Sequence, residues 1–169
     1  MRILTLLLVV VITGACGQPF WRAKPVPSAP FPEPASASAI QTLSIERSPC
    51  MDTSCKAYRY TYHRDRQAVY DSLSPVDARL VQRATGALDS MTFDTLARAI
   101  LARGFFRLQP EYSTGRTDTR EVTVRAVLAD MVKTVVEEEA TGPAALHEVQ
   151  SLLDSLGRRL YWQVVQRAD

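Results

Sequence analysis

Two histidines and three cysteines leave the chain short of the side chains that most often hold metals. A structural zinc site takes about four nitrogen or sulfur ligands, so one metal centre would consume nearly the whole supply. No Gly-x-Ser-x-Gly, His-Glu-x-x-His or glycine-rich phosphate loop occurs, which removes the usual signatures of serine hydrolases, zinc proteases and nucleotide binders. Net charge is only +2, with acids and bases interspersed, so no basic patch marks a nucleic-acid partner. No apolar run approaches the roughly 20 residues a helix needs to cross a bilayer. The sequence therefore predicts no catalytic set, no metal and no cofactor.

What is present begins at the first residue. Met1 and Arg2 precede an apolar run from Ile3 to Ile12, broken only by Thr5, and small residues lead into Cys16. One positive charge, about ten apolar residues and a small-residue exit form the pattern of a signal peptide, here residues 1–15. Ile12-Thr13-Gly14-Ala15-Cys16 resembles the lipobox of bacterial lipoproteins, although Thr13 stands where leucine is commoner. The resemblance implies a diacylglyceryl group on the Cys16 thiol and cleavage just before it. Acylation of the new amine, for instance with palmitate, adds a further chain. Two or more acyl chains anchor stably at about 0.8 kcal/mol per buried CH₂. Gly17 rather than aspartate follows the cysteine, which in enterobacteria resembles the outer-membrane sorting rule. The expected location is thus the cell envelope, lipid-anchored at the outer membrane and facing the periplasm.

With Cys16 assigned to lipid, Cys50 and Cys55 remain as a pair. In an oxidising compartment such a pair reads first as a structural disulfide. A redox couple more often has two intervening residues, and a metal site would have to recruit His63 or His147. Both stay as competing readings. Residues 16–39 carry six of the ten prolines, mixed with alanine and serine, and read as an extended spacer at about 3.1 Å per residue. Phe20 and Trp21 within it are candidates for the headgroup region. Residues 40–169 remain for one domain.

In that domain Leu43 and Ile45 mark a strand that ends at Ser48-Pro49. Tyr58, Tyr60 and Tyr62 alternate with Arg59, Thr61 and His63, placing three tyrosines on one sheet face. Asp65-Arg66 predicts a turn into Gln67–Tyr70, and Leu80–Ala84 a further strand. Phe93, Leu96, Ala97, Ile100 and Leu101 fall at helical spacing, with Asp89 or Ser90 as cap and Gly104 as stop. Val122, Val124, Ala126 and Leu128, then Val132, Thr134 and Val136, predict a hairpin about Ala129-Asp130. Gly142-Pro143 opens a long helix with a stripe of Leu146, Val149, Leu153, Leu156 and Leu160. The expected fold is α+β: an antiparallel sheet packed against two helices, one small domain with one disulfide.

Pro49-Cys50, Cys55, Tyr58, Asp65 and Val69-Tyr70, followed by Gly104-Phe105-Phe106, Leu108, Tyr112, Thr117-Asp118, Gly142-Pro143, Leu146 and Trp162, resemble domain-of-unknown-function family 6438 over about residues 40 to 165. The chain departs from the family pattern in three places. It has one extra residue between the cysteines, Lys56 for the usual proline, and Arg66 for the turn glycine. The resemblance implies the fold and an exported or lipidated context; it brings no assigned activity.

Five residues are candidates for ligand contact. Tyr58, Tyr60 and Tyr62 offer flat faces for a glycan or peptide, against the plainer reading of a face packed under the C-terminal helix. Thr117 and Asp118 lie beside Arg116 and Arg120 on a polar connection, as a ligand loop or as a self-bonded turn. His63 near Asp65 reads as a surface histidine, and Glu137–Glu139 as a solvated strand end. The function expected is that of a membrane-tethered accessory module that binds an envelope protein or another envelope component. An envelope enzyme with an unrecognised site is the alternative.

Overall fold

Leu43 and Ile45 are both fully buried, as the alternation in β1 (Thr42–Arg47) requires. This strand becomes the middle of the sheet because antiparallel partners flank it on both sides. The computed structural model describes residues 31–50, 55–115, 119–138 and 140–167. Besides β1 it contains β2 (Ala57–His63), β3 (Gln67–Leu73), β4 (Leu80–Ala87), α1 (Ser90–Ala102), β5 (Glu111–Tyr112), β6 (Glu121–Val127), β7 (Val132–Glu138), α2 (Ala144–Arg159) and β8 (Gln163–Arg167). The eight strands form one mixed sheet in the order β5-β7-β6-β1-β2-β3-β4-β8. Every neighbouring pair is antiparallel except the two-residue β5, which runs parallel to β7.

Both helices cover the same face of the sheet. Phe93, Ala97 and Ile100 of α1, and Leu146, Val149 and Leu153 of α2, share one core with Leu43, Ile45, Tyr62, Val122, Val124 and Ala126. Asp89 starts α1 by accepting from the Thr92 amide at 2.8 Å. Gly104, at φ 66, ends it and turns Phe105 and Phe106 inward, where both are fully buried. Pro143 caps α2 from outside its first turn. Phe31, in the segment read as spacer, stacks on Phe106 at 5.9 Å. The Arg64 side chain donates to the Ala37 and Ile40 carbonyls, which ties that segment to the domain.

The opposite sheet face carries polar side chains joined across strands. Arg59 meets Glu46 at 2.6 Å, and Arg83 holds Asp71 through two bonds at 2.6 and 2.9 Å. These neighbours leave Asp71 only 3% exposed although no helix covers it.

Three findings differ from the sequence reading. β5 and β8 have no hydrophobic alternation long enough to announce them. Arg66, at the family's glycine position, takes φ 77, a left-handed conformation that costs a side-chain-bearing residue about 1–2 kcal/mol. The third concerns β7, whose inward side chains are Lys133, Val135 and Glu137 rather than Val132, Thr134 and Val136. Val132 is 54% exposed. The register explains the inversion: Ala126 pairs with Lys133, Val124 with Val135 and Val122 with Glu137, so the buried face of β6 selects the odd-numbered residues of β7.

Candidate functional site

The same register builds a polar row at one end of the sheet. Val122 pairs with Glu137 on one side and Arg47 on the other, and Arg47 pairs with Tyr58. Glu137, Arg47 and Tyr58 therefore point to the helix side together. Across them lies α2, carrying His147, Gln150, Ser151, Asp154 and Arg158 at the three- and four-residue spacing that puts them on one flank.

Asp154 joins helix to sheet. Its Oδ2 accepts from Arg47 Nη2 at 2.8 Å and Nε at 3.0 Å, and its Oδ1 accepts from the Tyr58 hydroxyl at 2.9 Å. Burial, followed by the charge of Asp154, pushes the Tyr58 phenol up to about 12. Burial alone would lower the Arg47 guanidinium; the hydrogen bond and charge of Asp154, together with Tyr58, outweigh that and raise it. The carboxylate is thus both paired and hydrogen-bonded, as a buried charge must be to survive.

Glu137 is the second buried acid, at 1% exposure, and not the solvated strand end expected of it. Its Oε1 accepts from Gln150 Nε2 at 2.6 Å and its Oε2 from the Gly142 amide at 2.9 Å. His147 Nε2 stands 3.3 Å from Oε2 but out of line for a hydrogen bond. Glycine is required at 142, since a Cβ there would lie 2.3 Å from Glu137 Oε2 and 2.7 Å from Leu146 Cδ2. The next residue along β7, Glu138, is half-buried and takes bonds from Ser113 and Thr114. Those bonds, the Ser113 hydroxyl first, lower its carboxyl to about 2.

Between the two acids opens a cleft of about 320 Å³, walled by Arg47, Glu137, His147, Ser151, Asp154 and Arg158. Aromatic rings border the helix beyond it. Tyr60 lies 5.0 Å from Tyr58, 5.2 Å from Tyr70 and 5.7 Å from Trp162 between ring centroids. Trp162 Nε1 donates to the Gly157 carbonyl at 2.9 Å. Tyr58 and Tyr60 are half-buried. Tyr62 is fully buried and donates to the Leu153 carbonyl at 2.7 Å. The three tyrosines share one face and pack under α2.

Cys50 and Cys55 form a disulfide, with Cα atoms 5.6 Å apart, between the end of β1 and the start of β2. Arg120 clips the two flanks of that loop together, donating to the Ser48 carbonyl at 3.1 Å and to the Lys56 carbonyl. Its guanidinium also lies 6.0 Å from the Tyr58 ring centroid. Cys16, Phe20, Trp21, Arg116, Thr117, Asp118 and Glu139 lie outside the described residues. His63 sits at the far end of β2 with Nδ1 3.2 Å from the Thr42 hydroxyl, away from the cleft. Sequence reasoning missed Arg47, Glu137, His147, Gln150 and Asp154. The available signal was a polar stripe (147, 150, 154, 158) flanking the apolar one on the last long helix.

The profile of a domain of unknown function (DUF6438) matches residues 41–157, from the residue before β1 to the last turn of α2. No curated protein matches the chain.

Proposed function

We propose that this chain, which belongs to the family of the domain of unknown function (DUF6438), is the binding head of a bacterial lipoprotein tethered to the envelope by lipid on Cys16. It would face the periplasm from the outer membrane and engage an envelope protein or another envelope component. The observation that carries the binding reading is the cleft beside α2. Its volume of about 320 Å³ falls at the lower end of ligand pockets, and its buried acids are fixed in place by neighbours before anything arrives. Such preorganisation lowers the ordering cost of association. The tether rests on the signal-like run and lipobox ending at Cys16.

One observation favours the second reading, an envelope enzyme. The buried Glu137 carboxylate lies 3.3 Å from His147 Nε2, a pairing that can orient an imidazole for proton transfer. A turnover activity abolished by His147→Gln would favour it over the binding head.

The test is cross-linking in living cells followed by co-purification from detergent-solubilised envelopes, with Cys16→Ser as control. A reproducible partner that disappears when Cys16→Ser releases the chain from the membrane is the expected result. A chain that stays membrane-bound after Cys16→Ser would overturn the lipid anchor. Repeated failure to recover any partner would overturn the protein-binding role.

A further inference from the structure

We infer that the cleft beside α2 receives a small anionic group, a carboxylate or a phosphate monoester; this deepens the reading of the domain as a binding head. The argument follows from which charges in the cleft are already answered. Asp154 is held by Arg47 and Tyr58. Glu137 is held by Gln150 and the Gly142 amide, with His147 at 3.3 Å. Each acid already has donors of its own, and Arg47 is spent on Asp154.

Arg158 is the group left over. It is exposed on the cleft wall, donates from Nη2 to the Ser155 hydroxyl at 3.2 Å, and forms no ion pair among the described residues. Ser151 stands two turns before it on the same flank of α2 and His147 one turn further, so their side chains follow one line along the cleft. The imidazole Nε2, buried and without a hydrogen-bond partner among the described residues, lies at the Glu137 side of this line. Among the described residues the charged groups of the wall are thus two arginines against two carboxylates. A guanidinium without a carboxylate partner, a hydroxyl and an imidazole in a row make a donor set for one anionic group. The small volume suits a compact ligand rather than a polymer threaded through the site.

The test uses the full-length chain in non-ionic detergent, followed by NMR of the Arg158 Nε–H and His147 ring signals. The probes are inorganic phosphate, N-acetylalanine and N-acetylalanine amide, added at constant ionic strength. Saturable shifts at both residues with at least one of the two anions, and none with the neutral amide, are expected. Phosphate alone points to a phosphorylated ligand, and N-acetylalanine alone to a carboxylate-bearing one. Arg158→Gln should weaken that binding about tenfold or more, since a charge-assisted bond contributes more than the 1.4 kcal/mol that corresponds to tenfold. Arg159→Gln, which faces the groove between α1 and α2 instead, should leave it unchanged. Equal binding of the amide, no saturation with either anion, or equal weakening in both arginine variants would overturn the inference. Failure here is separable from failure of the binding-head reading: a cross-linked partner retained by Arg158→Gln leaves that reading standing without an anion site.

Discussion

Replacing Gly157 with alanine sets two effects of opposite sign against each other, and the structure decides which prevails. In an ordinary helix interior alanine is favoured over glycine by about 1 kcal/mol. At position 157, however, a Cβ would stand 2.5 Å from Cε2 and 2.6 Å from both Cδ2 and Cζ of Tyr60. That is roughly 1 Å inside the optimal carbon–carbon separation of about 3.5 Å. The ring has little room to swing aside, with Tyr58, Tyr70 and Trp162 at centroid distances of 5.0, 5.2 and 5.7 Å. The helix is pinned as well, by Trp162 on the Gly157 carbonyl and Tyr62 on the Leu153 carbonyl. Overpacking of a filled core costs about 1–3 kcal/mol, and contact with three ring atoms belongs at the upper end. After the helix gain is subtracted, Gly157→Ala should destabilise by about 1–2 kcal/mol, lowering Tm by roughly 3–8 °C for a domain of this size. Thermal unfolding followed by circular dichroism measures it. An unchanged or higher Tm would refute the close packing. In a Tyr60→Val background the same substitution should become neutral or stabilising by up to about 1 kcal/mol, since the clash is gone while the helix gain remains.

Two further outcomes follow from named contacts. Tyr58 should ionise near 12 rather than at its ordinary 10.0. Because the folded chain keeps a proton that the unfolded chain releases, the associated stability is intact below about pH 10 and is lost as pH rises toward 12; phenolate absorbance against pH, with Tyr58→Phe as reference, should show that late titration disappear. Arg66→Gly should raise stability by roughly 0.5–1 kcal/mol, as relief of the left-handed φ of 77 exceeds the extra chain entropy of glycine; a denaturant midpoint at or below that of the parent would show that the Arg66 side chain compensates for its backbone.

Most of the framework was legible because it is written in local periodicity. Leu43 and Ile45, the tyrosine strand, the Phe93–Ile100 face with Asp89 and Gly104 at its ends, and the stripe from Leu146 to Leu156 each follow one rule that needs no knowledge of distant residues. β5 and β8 were hidden for the opposite reason. Two residues are too few for a pattern, and all five residues of β8 are exposed, so edge pairing to β4 alone makes it a strand. The parallel pairing of β5 with β7 likewise depends on where the chain returns after Phe106.

The polar cleft stayed hidden through a single register. On β7, counting apolar residues favours Val132, Thr134 and Val136 as the inner face, whereas the turn from Leu128 to Met131 aligns β6 so that Lys133, Val135 and Glu137 go in. Only tertiary context makes that tolerable. Lys133 reaches the Leu108 carbonyl and lies over the Phe31 ring at 5.5 Å, keeping its stem packed and its ammonium satisfied. Glu137 is accepted because Gly142 has no side chain and Gln150 arrives from α2. A periodicity rule treats each charge on a strand as a vote for solvent. A register set by the neighbouring strand outweighs that vote when every buried charge finds donors. Glu137 and Asp154, buried charges brought to one end of the sheet beside Arg158, which forms no ion pair among the described residues, therefore mark the cleft better than the tyrosines, whose periodicity is explained by packing alone.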